Sequence, residues 1–262
     1  MILLCFIIVT IESTLLYYYL HRKTHISLSY LYKDNLVVIV VVVALDLLLE
    51  KMFTFYWLIA LSVAAVPVVC ILLTLVRFYR VPMRKVTSSE DSIVSPADGN
   101  IIYIKKLPSG EVPMTVKNGI SATLNEFADT KLLDSPCWLI GINMTPFDVH
   151  KNAAPVEGII VLNHHVNGEF LSLKHPEALA RNERNSIIIE NPRGNIGLVQ
   201  TASKRVRRIV SYKKQGDVVG RGDWFGMIRF GSQVDLVIPE TCHVVVNEKQ
   251  QVYAKKTVIA TW

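Results

Sequence analysis

The chain has 262 residues, 51% of them hydrophobic, and a formal net charge of +6. That length fits one folded domain of ordinary size plus a membrane anchor and does not require two soluble domains. Residues 1–85 hold eight Lys or Arg against four acids, a balance of +4 that leaves +2 for the rest. The excess therefore flanks apolar segments, which suits anionic lipid headgroups and argues against a nucleic-acid partner, since that would need a basic stripe on the soluble part.

Residues 1–20 are long and apolar enough to span a bilayer, although Glu12 and Ser13 fall near the middle. No basic stretch precedes this segment and no small-x-small pattern follows it, so it reads as a span rather than a cleaved signal peptide. Residues 36–76 are apolar except for Asp46, Glu50 and Lys51, and at about 20 residues per span they hold two helices joined by a tight turn near residue 50. The alternative for 36–43 (LVVIVVVV), a buried strand, leaves the adjoining apolar residues to be hidden by a soluble fold. If all three segments span, Arg22, Lys23 and Lys33 lie on one side with Arg77, Arg80, Arg84 and Lys85, and Glu50 and Lys51 on the other. The positive-inside rule makes the first side cytoplasmic. The expectation is a membrane anchor over 1–85, with two or three helices, and a β-rich catalytic domain over 86–262 on the cytoplasmic side of the cell membrane.

From residue 92 the pattern changes to short β-branched runs between turn residues: 101–104 (IIYI), 158–162 (GIIVL), 186–190 (SIIIE), 196–200 (IGLVQ), 234–239 (VDLVIP) and 243–247 (HVVVN). Helical periodicity is confined to 122–133 and 176–184, and residues 105–135 read as an insertion or a mobile loop near the membrane. The fold class is thus a mainly β, sandwich-like domain with one or two short helices behind an α-helical anchor. Cys5, Cys70, Cys137 and Cys242 form no CxxC pair and no zinc spacing, so no metal site is expected. A reducing compartment is the simplest reading of them, with a bond between Cys137 and Cys242 left open.

Four segments carry the chemistry: Ser95-Pro96-Ala97-Asp98-Gly99; Phe147-Asp148-Val149-His150; Asn182-Glu183-Arg184-Asn185; and Gly226-Met227-Ile228-Arg229-Phe230-Gly231-Ser232. In this order and at these separations they resemble the phosphatidylserine decarboxylase family, specifically its short microbial branch, which includes archaetidylserine decarboxylases. The resemblance runs from residue 77 to about 239. It implies a proenzyme that cleaves itself between Gly231 and Ser232, leaving chains 1–231 and 232–262 associated, with Ser232 converted to a pyruvoyl group and no external cofactor.

The residue types suit that chemistry. Glycine at 231 leaves its carbonyl open and the turn free in angle, and the Ser232 hydroxyl attacks once a base takes its proton. His150 oriented by Asp98 is the candidate base pair. Longer relatives carry a second histidine at the position of Ala153, so Asp148 or a water is the alternative base. The resemblance further implies a Schiff base between the pyruvoyl ketone and the amine of a membrane serine phospholipid, phosphatidylserine or archaetidylserine, with His150 as proton donor to the carbanion. Arg229 and Arg208, with Arg207, are candidates for the lipid phosphate. A homo-oligomer is open. Two other readings compete: a serine hydrolase using Ser232 without self-cleavage, which lacks the Gly-x-Ser-x-Gly elbow, and a non-enzymatic membrane-anchored scaffold.

Overall fold

A computed structural model describes residues 2–24, 28–108, 111–112, 122–123, 136–169, 171–173, 175, 178–203, 209–229 and 232–262. The chain divides into two compact units, Met1–Phe78 and Tyr79–Trp262. The first holds three helices, α1 (Ile2–Thr24), α2 (Leu28–Leu49) and α3 (Phe55–Tyr79, which runs one residue beyond it). Each buries one stripe at helical spacing: Cys5, Val9, Ser13 and Tyr17 on α1; Leu31, Val38, Val42 and Asp46 on α2; Leu58, Ser62, Val66 and Cys70 on α3.

Polar groups join these helices. Asn35 Nδ2 donates to Thr14 Oγ1 at 3.0 Å, Ser62 Oγ donates to Asp46 Oδ1 at 2.9 Å, and Arg77 pairs with Asp34. The outward faces are apolar. Leu48 is 74% exposed while Asp46 is 2% exposed, the reverse of the distribution that water selects and the one that lipid tolerates. Among the described residues two helices, Ile2–Arg22 and Phe55–Tyr79, are long and apolar enough to cross a membrane.

The second unit is mostly β. Its elements in order are β1 (Ser92–Val94), β2 (Gly99–Leu107), β3 (Glu111–Val112), β4 (Ala122–Thr123), β5 (Cys137–Met144), β6 (Lys151–Ala153) and β7 (Gly158–Val166). There follow α4 (Ala178–Arg181), β8 (Arg184–Glu190), β9 (Ile196–Ala202), β10 (Ile209–Ser211), β11 (Val218–Val219), β12 (Trp224–Ile228), β13 (Ser232–Pro239), β14 (His243–Val244), β15 (Gln251–Val252) and β16 (Val258–Thr261). An eight-stranded sheet runs β11-β7-β8-β9-β13-β5-β2-β15, with three-stranded sheets β10-β12-β6 and β1-β16-β14. The core joins Ile140, Ile142, Ile187, Ile189, Leu198, Val234 and Leu236 of the large sheet to Ile93, Phe225, Ile228 and Ile259 of the small ones. Each such side chain contributes about 1.5–3 kcal/mol when fully buried.

All six apolar runs seen in the sequence fall on strands, though 243–247 is a strand only at its first two residues. The sequence reading passes over β5, a central strand in which Gly141 and Asn143 interrupt the apolar run. Of the expected helix at 176–184, residues 176 and 177 lie outside the described residues, and among the rest only α4 forms. Asn182 ends it by turning its side chain to backbone, accepting from Leu171 N and donating to Leu171 O and Ala202 O, and β8 begins two residues later. In the 122–133 region Ala122–Thr123 is a strand paired with β3, and the rest lies outside the described residues, as does most of 105–135. Cys137 and Cys242 are free, and burial pushes both thiols up to about 11.

β13 pairs along its length with β5 and β9. Its second face carries Asp235, fully buried, which accepts hydrogen bonds from Tyr103 Oη and from Gln233 Nε2 at 2.9 Å. Burial pushes the Asp235 carboxyl up to about 7, against the pull of Tyr103 and Gln233. An unfolded carboxyl titrates near 3.8, so the folded chain holds this proton more tightly. The stabilisation is full below about pH 4 and is lost as pH rises toward 7. Asp235→Asn should therefore remove a pH-dependent loss on the order of a few kcal/mol between pH 5 and pH 8. Melting of the detergent-solubilised chain at the two pH values measures it, and an unchanged pH slope in the variant contradicts it.

Candidate active site

The Ser95-Pro96-Ala97-Asp98-Gly99 segment forms a buried turn between β1 and β2, closed by Ser95 Oγ donating to Ala97 O at 2.7 Å. Gly99 is required on two counts: its φ is +153°, and a Cβ there would lie 2.4 Å from the Asn143 carbonyl of β5. The turn presents the Asp98 carboxylate to Arg84, which grips both oxygens, Nη2 to Oδ2 at 2.8 Å, while Ala254 N donates to Oδ1 at 2.8 Å. Arg80 and Arg84, read from sequence as flanks of the anchor, are thus bonded within the second unit, Arg80 through Nη1 to the Phe147 carbonyl at 2.9 Å. Breaking one side of a buried pair leaves the other charge without compensation. Asp98→Asn is accordingly expected to lower stability by about 3 kcal/mol, with the Arg84→Met, Asp98→Asn double variant recovering part of it in the same melting assay.

His150 follows the loop 145–149, between β5 and β6. Asp148 locks this loop, its Oδ2 accepting from Thr145 N at 2.8 Å and Thr145 Oγ1 at 2.7 Å, and its Oδ1 from Gln251 Nε2 at 3.3 Å. Burial raises the Asp148 pKa, and the nearby Asp98 charge raises it further, against the Thr145 and Gln251 hydrogen bonds. His150 is fully buried with Nδ1 at 2.9 Å from the Asp148 carbonyl. Burial pushes its pKa down to about 4, helped by Arg80 and opposed by the Asp148 carbonyl. The imidazole is neutral at physiological pH. Because a carbonyl only accepts, its proton sits on Nδ1 and the lone pair on Nε2, the arrangement a general base needs.

The structure does not join His150 to Asp98 as the sequence reading expected. Asp98 is taken up by Arg84 and Ala254, and the Nδ1 of His150 is oriented by backbone. Asp148, the alternative base, acts on His150 through its carbonyl rather than its carboxylate. Arg229 is exposed. Gly231, Arg207 and Arg208 lie outside the described residues.

Ser232 opens β13, its backbone paired with Met144 of β5 on one side and Ala202 of β9 on the other. Upstream, β12 is fixed at its last residue, where Ile228 N donates to the His150 carbonyl at 3.1 Å. β12 thus ends on the His150 backbone, and β13 begins at Ser232 in the large sheet. A buried carboxamide chain lies beside β12 at Gly226: Asn185 Nδ2 donates to Gln200 Oε1 at 3.2 Å and Gln200 Nε2 to Asn152 Oδ1 at 2.8 Å. The sequence reading noted Asn185 only within its motif and missed Asn152 and Gln200. Single amides far apart in the chain give no local signal.

Comparison with known proteins shows the family. Residues 71–260 match the family model described as phosphatidylserine decarboxylase. The chain is 41% identical over 192 residues to a Methanothermobacter thermautotrophicus protein named archaetidylserine decarboxylase proenzyme, covering 71% of this chain and 79% of that one. It is 38% identical over 196 residues to a protein of the same name from Methanocaldococcus jannaschii, covering 75% and 93%. It is 35% identical over 226 residues to a phosphatidylserine decarboxylase proenzyme of Azorhizobium caulinodans, covering 86% and 85%. A match across most of the second unit, with the motifs on the buried turn, the His150 loop and the first residue of the central strand, means that the chain belongs to the phosphatidylserine decarboxylase family of carboxy-lyases.

Proposed function

We propose that this chain is a membrane-anchored proenzyme that cleaves itself between Gly231 and Ser232 and then decarboxylates a serine phospholipid. The observation that carries the reading is the position of Ser232 as the first residue of a strand held on both sides. A cut before it frees the new terminus without releasing the segment behind it. β13 stays between β5 and β9, β15 on β2 and β16 on β1, so 232–262 remains part of the fold.

His150 takes the Ser232 hydroxyl proton, and the oxygen attacks the Gly231 carbonyl carbon, breaking the Gly231–Ser232 amide and forming an ester with the Ser232 amine released. Elimination across Cα and Cβ of residue 232 then breaks the ester C–O bond, leaving the Gly231 carboxylate. Addition of water with loss of ammonia completes the conversion of residue 232 to a pyruvoyl group. When present, that group supplies an electron sink conjugated to the amine-bearing carbon of the substrate. The neutral amides of Asn152 and Gln200 and the burial of His150 suit a site where charge must be spread and water kept away.

The inside-out bundle of α1–α3 supports anchoring in the cell membrane, where a nearly insoluble substrate is concentrated. The basic residues Arg22, Lys23 and Lys33 support a cytoplasmic catalytic unit. Denaturing mass spectrometry of the membrane-expressed chain tests the proposal. It should show a 232–262 fragment whose N-terminus has lost its nitrogen, together with carbon dioxide release from serine lipid, whereas an intact active chain refutes it.

A further inference from the structure

A polar cleft of about 520 Å³ opens on the large sheet, lined by Asn163, His165, Glu183, Asn185, Lys213 and Lys214. The register fixes where it lies relative to Ser232. His165 of β7 pairs with Asn185 of β8, which pairs with Gln200 of β9, which pairs with Val234 of β13. One step along the strands, the Glu183 carbonyl accepts Ala202 N at 2.9 Å, and Ala202 pairs with Ser232. Glu183 and Ser232 are therefore in one row with a single alanine between them. At about 4.8 Å per strand their backbones are roughly 10 Å apart, a gap that a small headgroup and the side chains at its two ends can bridge.

The lining has a definite chemistry. Glu183 Oε1 is engaged by His165 Nε2 at 2.9 Å and by Ile209 N at 3.1 Å, so its charge is turned inward. Lys213 and Lys214 leave the cleft positive. Asn185 is 1% exposed, and its Oδ1 has no hydrogen-bond partner, an acceptor held away from water without a donor. A cleft that offers cations and one unmet acceptor fits a ligand carrying both an anionic phosphate and an N–H donor.

We infer that this cleft is the headgroup subsite of the enzyme: it takes the phosphodiester of the serine lipid at Lys213 and Lys214 and holds the amine side past Asn185 toward residue 232. The assignment rests on the proposed decarboxylase reading. It makes these residues determinants of headgroup specificity rather than groups that react.

Full-length wild type, the Lys213→Ala, Lys214→Ala double variant, Asn185→Ala and a Lys256→Ala surface control, all in mixed micelles, test it. The double variant and Asn185→Ala should each process to completion by mass spectrometry. Both should show KM for serine lipid raised about tenfold, as expected for loss of a charge-assisted contact or a buried hydrogen bond, with kcat within about threefold. The control should match wild type. Soluble glycerophosphoserine should compete with lipid on wild type and about tenfold less well on the double variant, with inorganic phosphate and free serine both weak. An unchanged KM in fully processed variants overturns the subsite and leaves the parent reading standing, whereas a wild-type chain that neither cuts nor decarboxylates defeats the parent reading itself. Competition by inorganic phosphate as strong as by glycerophosphoserine overturns the headgroup assignment in favour of a free-anion site.

Discussion

Ser232→Ala is expected to leave the chain whole and to reduce decarboxylation by about 10⁴-fold or more, to background. The side-chain oxygen is the only heavy atom removed, and in the proposed reaction it is both the attacking group in cleavage and the leaving oxygen in the elimination that follows, so no partial route remains. Folding should survive, because residue 232 contributes to β13 through a backbone that β5 and β9 hold on either side. Ser232→Thr keeps the hydroxyl but crowds the start of a central strand, and should still cut, more slowly. Mass spectrometry and carbon dioxide release from serine lipid read both variants. A Ser232→Ala chain that is cut and active would show that the chemistry starts elsewhere.

His150 carries the second large effect. His150→Gln should slow cleavage by about 10²–10⁴-fold, the usual contribution of a positioned general base. The pH profile is the sharper readout. With its pKa pushed down to about 4 by burial, His150 is neutral through the physiological range, so wild-type cleavage should be nearly flat from pH 8 to about pH 5 and fall only as pH drops through 4. A rate that halves near pH 6.5 would indicate a solvent-exposed histidine and contradict the buried geometry. Asp148→Asn separates carbonyl from carboxylate orientation of the ring: the carbonyl that meets Nδ1 is retained, so cleavage should persist within about tenfold, whereas a carboxylate-dependent base would lose it.

Much of this was legible from residue order because the signals are local. Apolar segments of spanning length, β-branched runs between glycines and the Gly-Ser dipeptide in its context each depend on a few neighbouring residues. Strand β5 escaped because Gly141 and Asn143 break its apolar pattern. Gly141 is there for a contact with a distant residue: the Tyr103 ring of β2 lies where its Cβ would be, within 2.4 Å. The helix read at 176–184 ends at Arg181 because Asn182 spends its amide on Leu171 and Ala202, and Ala202 is twenty residues away.

The sequence by itself determined that the chain has an apolar helical front, a β-rich remainder and a Gly231-Ser232 bond within the family's motifs, since hydrophobic periodicity and motif spacing are properties of the chain as written. Tertiary structure alone decided the partners: Asp98 goes to Arg84, His150 to the Asp148 carbonyl, and Glu183 and Asn185 into one cleft, with Glu183 in the row of Ser232 and one alanine between them. The reason is physical. A buried charge or amide takes whichever partner the folded backbone brings within about 3 Å, and sheet register, which brings distant segments side by side, is set only once the whole core has packed.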